Sequence, residues 1–310
     1  MRKKIVASLL SVATIASFSS IVLAYVPKAQ AVEMKPCNEI CYPNDNGQGY
    51  DAEALATIGE DLSKNGKNSI YYTQFHNYMT VGINNTTGEH DKRGTIRTSK
   101  GNVEFRLIGI NHDDRADGNG KAGLTFLTTD SSVIPTHQMK HASIDNPPDF
   151  YGGWRDSDLR NDLNKGDIWA IMPPSFKQHV VPVIKQSSTN MGKSMQTNAT
   201  AEKLTLMSYK ELVDDSHWNN DTSLNQEGTQ YEFFTGKVVK NYSSNEVLNE
   251  NNWKVAKTYY HGNYYNWPWE RGAYPVSGYS VNALLVNNGG DPGCGYYLGR
   301  ANGVAPAFSF

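Results

Sequence analysis

The first 31 residues constrain the rest of the chain most, because they indicate where it has to fold. Three cations, Arg2–Lys4, precede an uncharged stretch over residues 5–26 and a small-residue triplet at Ala29–Ala31. A basic start, an apolar centre and a small-x-small site are typical of a secretory signal peptide. We therefore predict cleavage after Ala31 and a mature chain that begins at Val32 and folds outside the cytoplasm.

The alternative for the same segment is an uncleaved membrane anchor, because the uncharged stretch is long enough to span a bilayer. Five serines and a threonine lower its hydrophobicity, and the triplet Ala29–Ala31 is well placed for cleavage. Both features favour the signal peptide, so the product is expected to be secreted or held at the cell surface.

Composition limits the partners of the mature chain. Cleavage would leave 279 of 310 residues, enough for one large domain or two small ones. Loss of four cations and no acids would move the formal net charge from -2 to -6. The mature sequence has no basic run that would suggest binding to nucleic acid, and it has no second long apolar stretch that would span a membrane after cleavage.

Three cysteines, Cys37, Cys41 and Cys294, make an odd number. Export favours a disulfide, which leaves one thiol over. Cys37 and Cys41 can close a small loop, or either can reach Cys294. Zinc is a weaker interpretation, because no pair of histidines lies near the three sulfurs.

Residue patterns in the first half predict a linker, a helix and several strands. The segment 32–50 is polar and rich in Pro and Gly, typical of a linker. Helical spacing of apolar residues predicts a helix over 51–64, whereas the aromatic and β-branched segment 69–83 predicts a strand. Alternating and then continuous apolar residues predict a strand over 103–110, and a shorter one is expected over 124–128.

The second half combines short helices with short strands. A helix is predicted over 158–163, and another at the start of 173–184, before a strand. Ser208 and Glu211 form the Ser-x-x-Glu pattern of a capping box, which predicts a helix start at Ser208. Gly-punctuated short strands are expected from Val276 to the end, where an apolar last segment should pair near the strand 103–110.

Together these elements predict an α+β fold in a single compact domain, with short helices and short twisted antiparallel strands. We expect a signal peptide at 1–31, an N-terminal linker with a short helix at 32–70, and the domain at 71–310.

A loop of acids and amides follows the strand 103–110 and offers weak calcium ligands in Asp113, Asp117 and Asn119. Read as an EF-hand from Asp113, it has Arg115 at position three and Leu124 in place of the bidentate glutamate. We expect a turn, with calcium as the alternative and no other cofactor.

The same loop begins with His112, Asp113 and Asp114, which suggest a general acid–base centre. No nucleophile motif accompanies them. His137 and His141 lie four apart, but Pro135 and Ser143 argue against a helix there, so the spacing is weak support for zinc.

The densest aromatic segment runs from 258 to 271 and suggests a recognition surface, on which rings stack and polar groups orient a ligand. Trp267 and Trp269 are expected in or beside the core. The expected ligand-binding residues are Tyr259, Asn263, Tyr264, Tyr265 and Arg271.

Several motifs resemble an uncharacterised domain family of exported and surface proteins, largely from Gram-positive bacteria. The resemblance covers about 75–310, and Trp269–Ala273 departs from the family pattern. The motifs are Phe105–Asp113, Gly152–Trp154, Ser157–Arg160, Leu204–Leu212 and Gly303–Phe308.

The second half also resembles C-type-lectin-like domains of the formylglycine-generating-enzyme type. Met207–Leu212 occupies the place of their helix start, and Tyr279–Gly289 that of a late strand and turn. Their catalytic cysteine pair has no counterpart, since Cys294 stands alone. The resemblance therefore implies a C-type-lectin-like scaffold without that chemistry.

These observations favour an exported, noncatalytic binding protein that recognises a glycan or a protein at or outside the cell surface. The alternatives are a cell-envelope hydrolase centred near His112, Asp113 and Asp114, and a structural surface protein.

Overall fold

The computed structural model describes residues 31–32, 37–43, 48–80, 92–130, 133–141, 149–189, 196–213, 224–235, 267–275, 281–287 and 292–310. The segment Val32–Phe310 forms one compact unit. Among these described residues, no helix has the length and apolar character needed to cross a membrane. The predicted signal peptide lies outside them.

Six α-helices have bounds within the described residues, and three of them begin at a side-chain cap. Asp51 accepts the Ala54 N–H at 2.9 Å and starts the predicted first helix, and Ser157 caps the third in the same way through Arg160 N–H at 3.1 Å. The helices are α1 (Ala52–Asn65), α2 (Tyr72–Thr80), α3 (Asp158–Asn164), α4 (Asp167–Ile171), α5 (Pro174–His179) and α6 (Tyr209–Leu212).

Thirteen strands have bounds within the described residues, and all their pairings are antiparallel. They are β1 (Ile40–Pro43), β2 (Gly49–Tyr50), β3 (Arg93–Thr98), β4 (Gly101–Ile110), β5 (Leu124–Asp130), β6 (His137–Gln138), β7 (Val183–Thr189), β8 (Gln196–Glu202), β9 (Trp269–Ala273), β10 (Asn282–Leu285), β11 (Cys294–Tyr297), β12 (Ala301–Asn302) and β13 (Ala307–Ser309). The structure therefore confirms the α+β class.

The main sheet has six strands in the order β13-β5-β4-β3-β1-β2. The last strand pairs with β5, with Phe308 opposite Phe126, so the predicted pairing of the chain end beside the strand 103–110 is confirmed. Gly59 in α1 permits the close approach of this end, because a Cβ there would lie 2.5 Å from the Phe310 carbonyl oxygen.

Smaller sheets complete the fold. They have the orders β11-β10-β9, β12-β6 and β7-β8. The three-stranded sheet contains the late short strands expected beyond Val276, and β12-β6 joins that part of the chain to residues 137–138.

The core is aromatic where the main sheet meets α2. Tyr42 contacts Phe75, Phe105 and Phe126, with ring centroids 5.2–6.0 Å apart. Phe308 stacks on Phe126 at 5.6 Å. Large rings thus supply much of the buried apolar surface that stabilises the fold.

The N-terminal segment is not the predicted linker. Its strands β1 and β2 are part of the main sheet, and Leu55, Ile58 and Leu62 of α1 are buried in the core. The boundary expected near residue 71 is therefore wrong, because the two sides of it share one core.

The segment 69–83 was also predicted incorrectly, since residues 72–80 form the helix α2. Phe75, Tyr78 and Met79 are buried on one face of it. Their spacing is helical, and packing of this face against the sheet outweighs the β preference of aromatic residues.

Of the alternatives for the cysteines, the structure has the Cys37–Cys41 disulfide. Cys294 is a buried thiol on β11. The capping box is also present, because Ser208 accepts the Glu211 N–H at 3.2 Å and Glu211 accepts the Ser208 N–H at 3.0 Å.

Candidate functional site

A group of charged side chains lies in the interior, around Lys185 on β7. The ammonium donates to Asp113 at 2.5 Å, to Glu211 on α6 at 2.8 Å and to the Tyr231 hydroxyl at 2.6 Å. Tyr231 in turn donates to the second Asp113 oxygen at 2.7 Å. All three ammonium protons of Lys185 are therefore used inside the protein.

Arg271 on β9 extends this network from the other side of Glu211. Its guanidinium makes a two-pronged contact with the Glu211 carboxylate, at 2.5 and 2.9 Å. The remaining donors reach the carbonyls of Gln186, Leu206 and Glu227, at 2.6–2.8 Å. Its five N–H groups thus all have internal acceptors.

The electrostatics of the network favour its ionised form. Burial opposes ionisation, but Lys185 holds the pKa of Asp113 well below its ordinary value, and Arg271 with Lys185 lowers the pKa of Glu211. Burial, and then the neighbouring carboxylates, raise the pKa of Tyr231, which stays a hydrogen-bond donor. Two cations and two anions balance one another, which offsets the cost of burying each charge.

Two further buried carboxyl groups lie next to the network and behave differently. Burial raises the pKa of Glu227 to about 7 and the pKa of Glu270 to about 8. Each accepts one backbone N–H, from Ser188 at 2.6 Å and from Gly293 at 2.8 Å. The second oxygen of each finds no hydrogen-bond partner among the described residues, so both favour the neutral acid over the anion.

Aromatic rings form a row on the three-stranded sheet. Trp267 packs edge-on to Tyr296 at 5.6 Å, and Tyr296 lies 6.5 Å from Tyr297. Trp267 is half-buried, Trp269 is buried, and Tyr297 is 48% exposed. The row therefore leads from the core to solvent, and both tryptophans lie where the sequence places them.

Two carboxylates and an imidazole also come together where β6 meets the helices α3 and α4. His137, Asp162 and Asp167 have potential ligand atoms within 4.8 Å of one another, the one such group of three found in the described part of the chain.

Comparison with known proteins supplies a family. The chain matches a family described as a domain of unknown function, DUF6273, over residues 123–310. The chain belongs to this family. No curated protein and no solved structure gives a significant match to the chain.

The DUF6273 domain contains Lys185, Glu211, Tyr231 and Arg271, but the matched range begins after Asp113. The buried network therefore joins the matched range to the strands that precede it. The main sheet also joins them, because β3 and β4 share it with β5 and β13 although they lie outside the match.

The three residues predicted as a hydrolytic centre do not face one cleft. Asp113 is buried in the network, whereas the Asp114 side chain is 70% exposed and pairs with Lys121 at 2.8 Å. His112 stacks on Tyr231 with ring centroids 3.8 Å apart and contacts Asp113 at 3.1 Å. Adjacent residues point to opposite sides, which separates the two carboxylates.

The weak calcium candidates also have separate surroundings. Asp113 is neutralised by Lys185, and Thr125 donates to it at 2.9 Å. Asp117 makes two contacts with Arg115, at 2.7 and 3.1 Å, and accepts the Asn119 N–H at 3.0 Å. The Asp117–Asn119 contact is that of an Asx turn, the predicted alternative to calcium.

Of the expected ligand-binding residues, Arg271 is in the interior rather than on a surface, because Glu211 and three carbonyls take all its donors. No local pattern predicts that Arg271 is buried, since its partners are remote along the chain. The other expected ligand-binding residues lie outside the described residues: Tyr259, Asn263, Tyr264 and Tyr265.

Proposed function

We propose that this protein is an exported, noncatalytic binding protein whose ligand is a glycan or a protein at or outside the cell surface. The observation that carries the proposal is the row Trp267, Tyr296 and Tyr297, which reaches solvent at Tyr297. In the sequence, Trp267 comes shortly after the Tyr-rich segment 259–265. Rings of this kind give a large contact area at low side-chain entropy cost.

The buried network supports the same proposal from another direction. Charged groups suited to catalysis, Asp113, Lys185 and Glu211, are consumed in ion pairs with one another and with Arg271. Their contacts are those of internal cross-links. A hydrolase centred near His112, Asp113 and Asp114 is accordingly the less well supported function.

A C-type-lectin-like layout is part of the proposal. Features consistent with it are the short helices, the small antiparallel sheets, the capped helix at Ser208 and the last strand at the edge of the main sheet. In such a scaffold a sheet end with exposed rings is a natural place for a ligand.

The experiment is a binding screen of residues 32–310, the compact unit, against a glycan array and cell-wall preparations, with and without EDTA. Tyr297→Ala should lower the affinity for any ligand identified in the screen about tenfold, which corresponds to roughly 1.4 kcal/mol of binding free energy. Changing Tyr264 and Tyr265 together to Ala should cost about thirtyfold, roughly 2 kcal/mol. Trp267→Ala should instead lower the melting temperature, because this ring packs on the core.

The matched control is Tyr72→Ala on α2, which removes a half-buried ring that stacks on His76 at 5.4 Å. It should leave binding unchanged. Equal losses for Tyr72 and Tyr297 would show that the effect is general destabilisation. If the wild-type protein binds no ligand in the screen, the result would contradict the proposal and favour the alternative of a structural surface protein.

A further inference from the structure

Three potential metal ligands, His137, Asp162 and Asp167, converge between β6 and the helices α3 and α4, and a fourth, His141, adjoins Asp162 from outside this group. His137 lies on β6, and His141 follows four residues later. Asp162 comes from α3, and Asp167 is the first residue of α4. The His137 Nε2 lies 3.2 and 3.3 Å from the two Asp167 oxygens, and the His141 Nε2 lies 3.2 Å from an Asp162 oxygen.

The hydrogen bonding of His137 shows which of its nitrogens faces this group. Its Nδ1 lies 2.7 Å from the carbonyl oxygen of Pro135, which can only accept, so Nδ1 carries the proton. In the neutral ring, the lone pair of Nε2 therefore points at carboxylate oxygens, which are also acceptors. Such an arrangement is repulsive unless a cation, either a proton or a metal ion, lies between them.

The contact between His137 Nδ1 and the Pro135 carbonyl is of a kind that is common in metal-binding histidines. A ligand histidine commonly donates its other N–H to a backbone carbonyl, which fixes the tautomer and the ring orientation. Moreover, ligands at about 2.0–2.1 Å from a tetrahedral zinc ion lie roughly 3.3–3.4 Å from one another. The His137–Asp167 and His141–Asp162 separations of 3.2–3.3 Å are close to this value.

Surrounding contacts hold the group in place. Trp269 donates through Nε1 to the His137 carbonyl at 2.8 Å, and Asp158 accepts the backbone N–H of His141 at 2.7 Å. Gly166, between the two aspartates, leaves room for Asp162, because a Cβ there would lie 2.8 Å from a carboxylate oxygen. Only 9% of the His137 side chain and 13% of Asp162 is exposed, whereas their partners Asp167 and His141 are 66% and 59% exposed, so the group opens to solvent on one side.

We propose that His137, Asp162 and Asp167 bind one divalent transition-metal ion, and that the exposed His141, which contacts Asp162 but lies outside this group, turns to the ion as the fourth ligand. Zinc is the ion best suited to two nitrogens and two oxygens. Four protein ligands close the coordination shell, which is the pattern of structural zinc sites. The ion ties the segment 137–141 to the two helices. The proposal does not rest on the proposed function, although Trp269 joins the two regions through its contacts with His137 and Tyr296.

The competing explanation is a doubly protonated His137 that forms an ion pair with Asp167 and needs no metal. A titration of zinc chloride into residues 32–310, after dialysis against EDTA, distinguishes the two. We expect one zinc per chain and a melting temperature that rises with zinc. Asp167→Asn and His141→Ala should each weaken zinc binding at least tenfold, and both residues are exposed enough for the variants to fold.

The matched control is His76→Ala, because His76 pairs with Glu232 at 2.9 Å on the surface but has no second carboxylate in a group of this kind. It should bind zinc like the wild type. A zinc stoichiometry near zero in the wild-type protein would overturn the proposal and leave the protonated ion pair. Equal loss of binding in His76→Ala and in the site variants would also overturn it.

Discussion

Glu270→Gln should make the stability of the protein less dependent on pH. The folded state holds the pKa of this carboxyl at about 8, against an ordinary value of 4.5, because the group is buried. Between those values the folded state binds one proton more than the unfolded state. Between these two values the free energy of unfolding therefore falls by about 1.4 kcal/mol per pH unit. The stabilisation from this group is present in full below pH 4.5 and is lost as the pH rises through 8.

Glu227 adds a second contribution of the same sign up to its pKa of about 7. Between pH 5 and 7 the wild-type protein should lose up to roughly 2.7 kcal/mol per pH unit, and Glu270→Gln about half of that. Asp113 and Glu211 have lowered pKa values and act in the opposite sense, since their stabilisation is lost only as the pH falls below their ordinary range.

The assay is guanidinium denaturation at pH 5, 6, 7 and 8, with the slope of the unfolding free energy against pH as the readout. Gln keeps the shape of the side chain and the oxygen that accepts the Gly293 N–H. Glu60→Gln is the matched control, because this exposed carboxylate pairs with Lys64 and Arg115, which stay charged throughout the pH range, and it should keep the wild-type slope. An unchanged slope in Glu270→Gln would refute the assignment of a neutral buried acid.

Further predictions follow from the network, the cap, the last strand and the N-terminus. Lys185→Met should destabilise the protein by about 3–5 kcal/mol in chemical denaturation, and adding Asp113→Asn should recover part of it, because one uncompensated charge is removed. Ser208→Ala should cost about 1 kcal/mol in the same assay. Deletion of 304–310 should abolish the cooperative thermal melt, and a retained melt would contradict the role of β13. N-terminal sequencing of exported protein should read Val-Glu-Met-Lys, whereas retention of full-length chain in the membrane would contradict cleavage after Ala31.

Local patterns predicted the elements whose causes are local. The capping box at Ser208 and Glu211 satisfies backbone groups within one turn, so four residues of sequence are enough to find it. The helix α1 follows from the cap Asp51 and its apolar stripe. The segment 72–80 was mistaken for a strand, because aromatic residues favour strands unless packing on a helix face overrides this preference.

The candidate sites depend on contacts between distant residues, which no local pattern reveals. Lys185 and Asp113 are 72 residues apart, and Arg271 and Glu211 are 60 apart. Neither the predicted export nor the net charge of the chain indicates that the Arg271 side chain is buried. His137 and His141 were noticed as a pair, but their partners on α3 and α4 became visible only in the fold.

Because β13 is synthesised long after its partner β5, the main sheet can be completed only late in folding. Ser309 lies against Thr125, 184 residues earlier in the chain. Until the last residues emerge, the outer edge of β5 has no neighbour within its sheet, and its backbone groups are open to other chains. Pairing over such a distance is slow. For an exported chain, as proposed, this delay would keep the main sheet open while the polypeptide is threaded across a membrane.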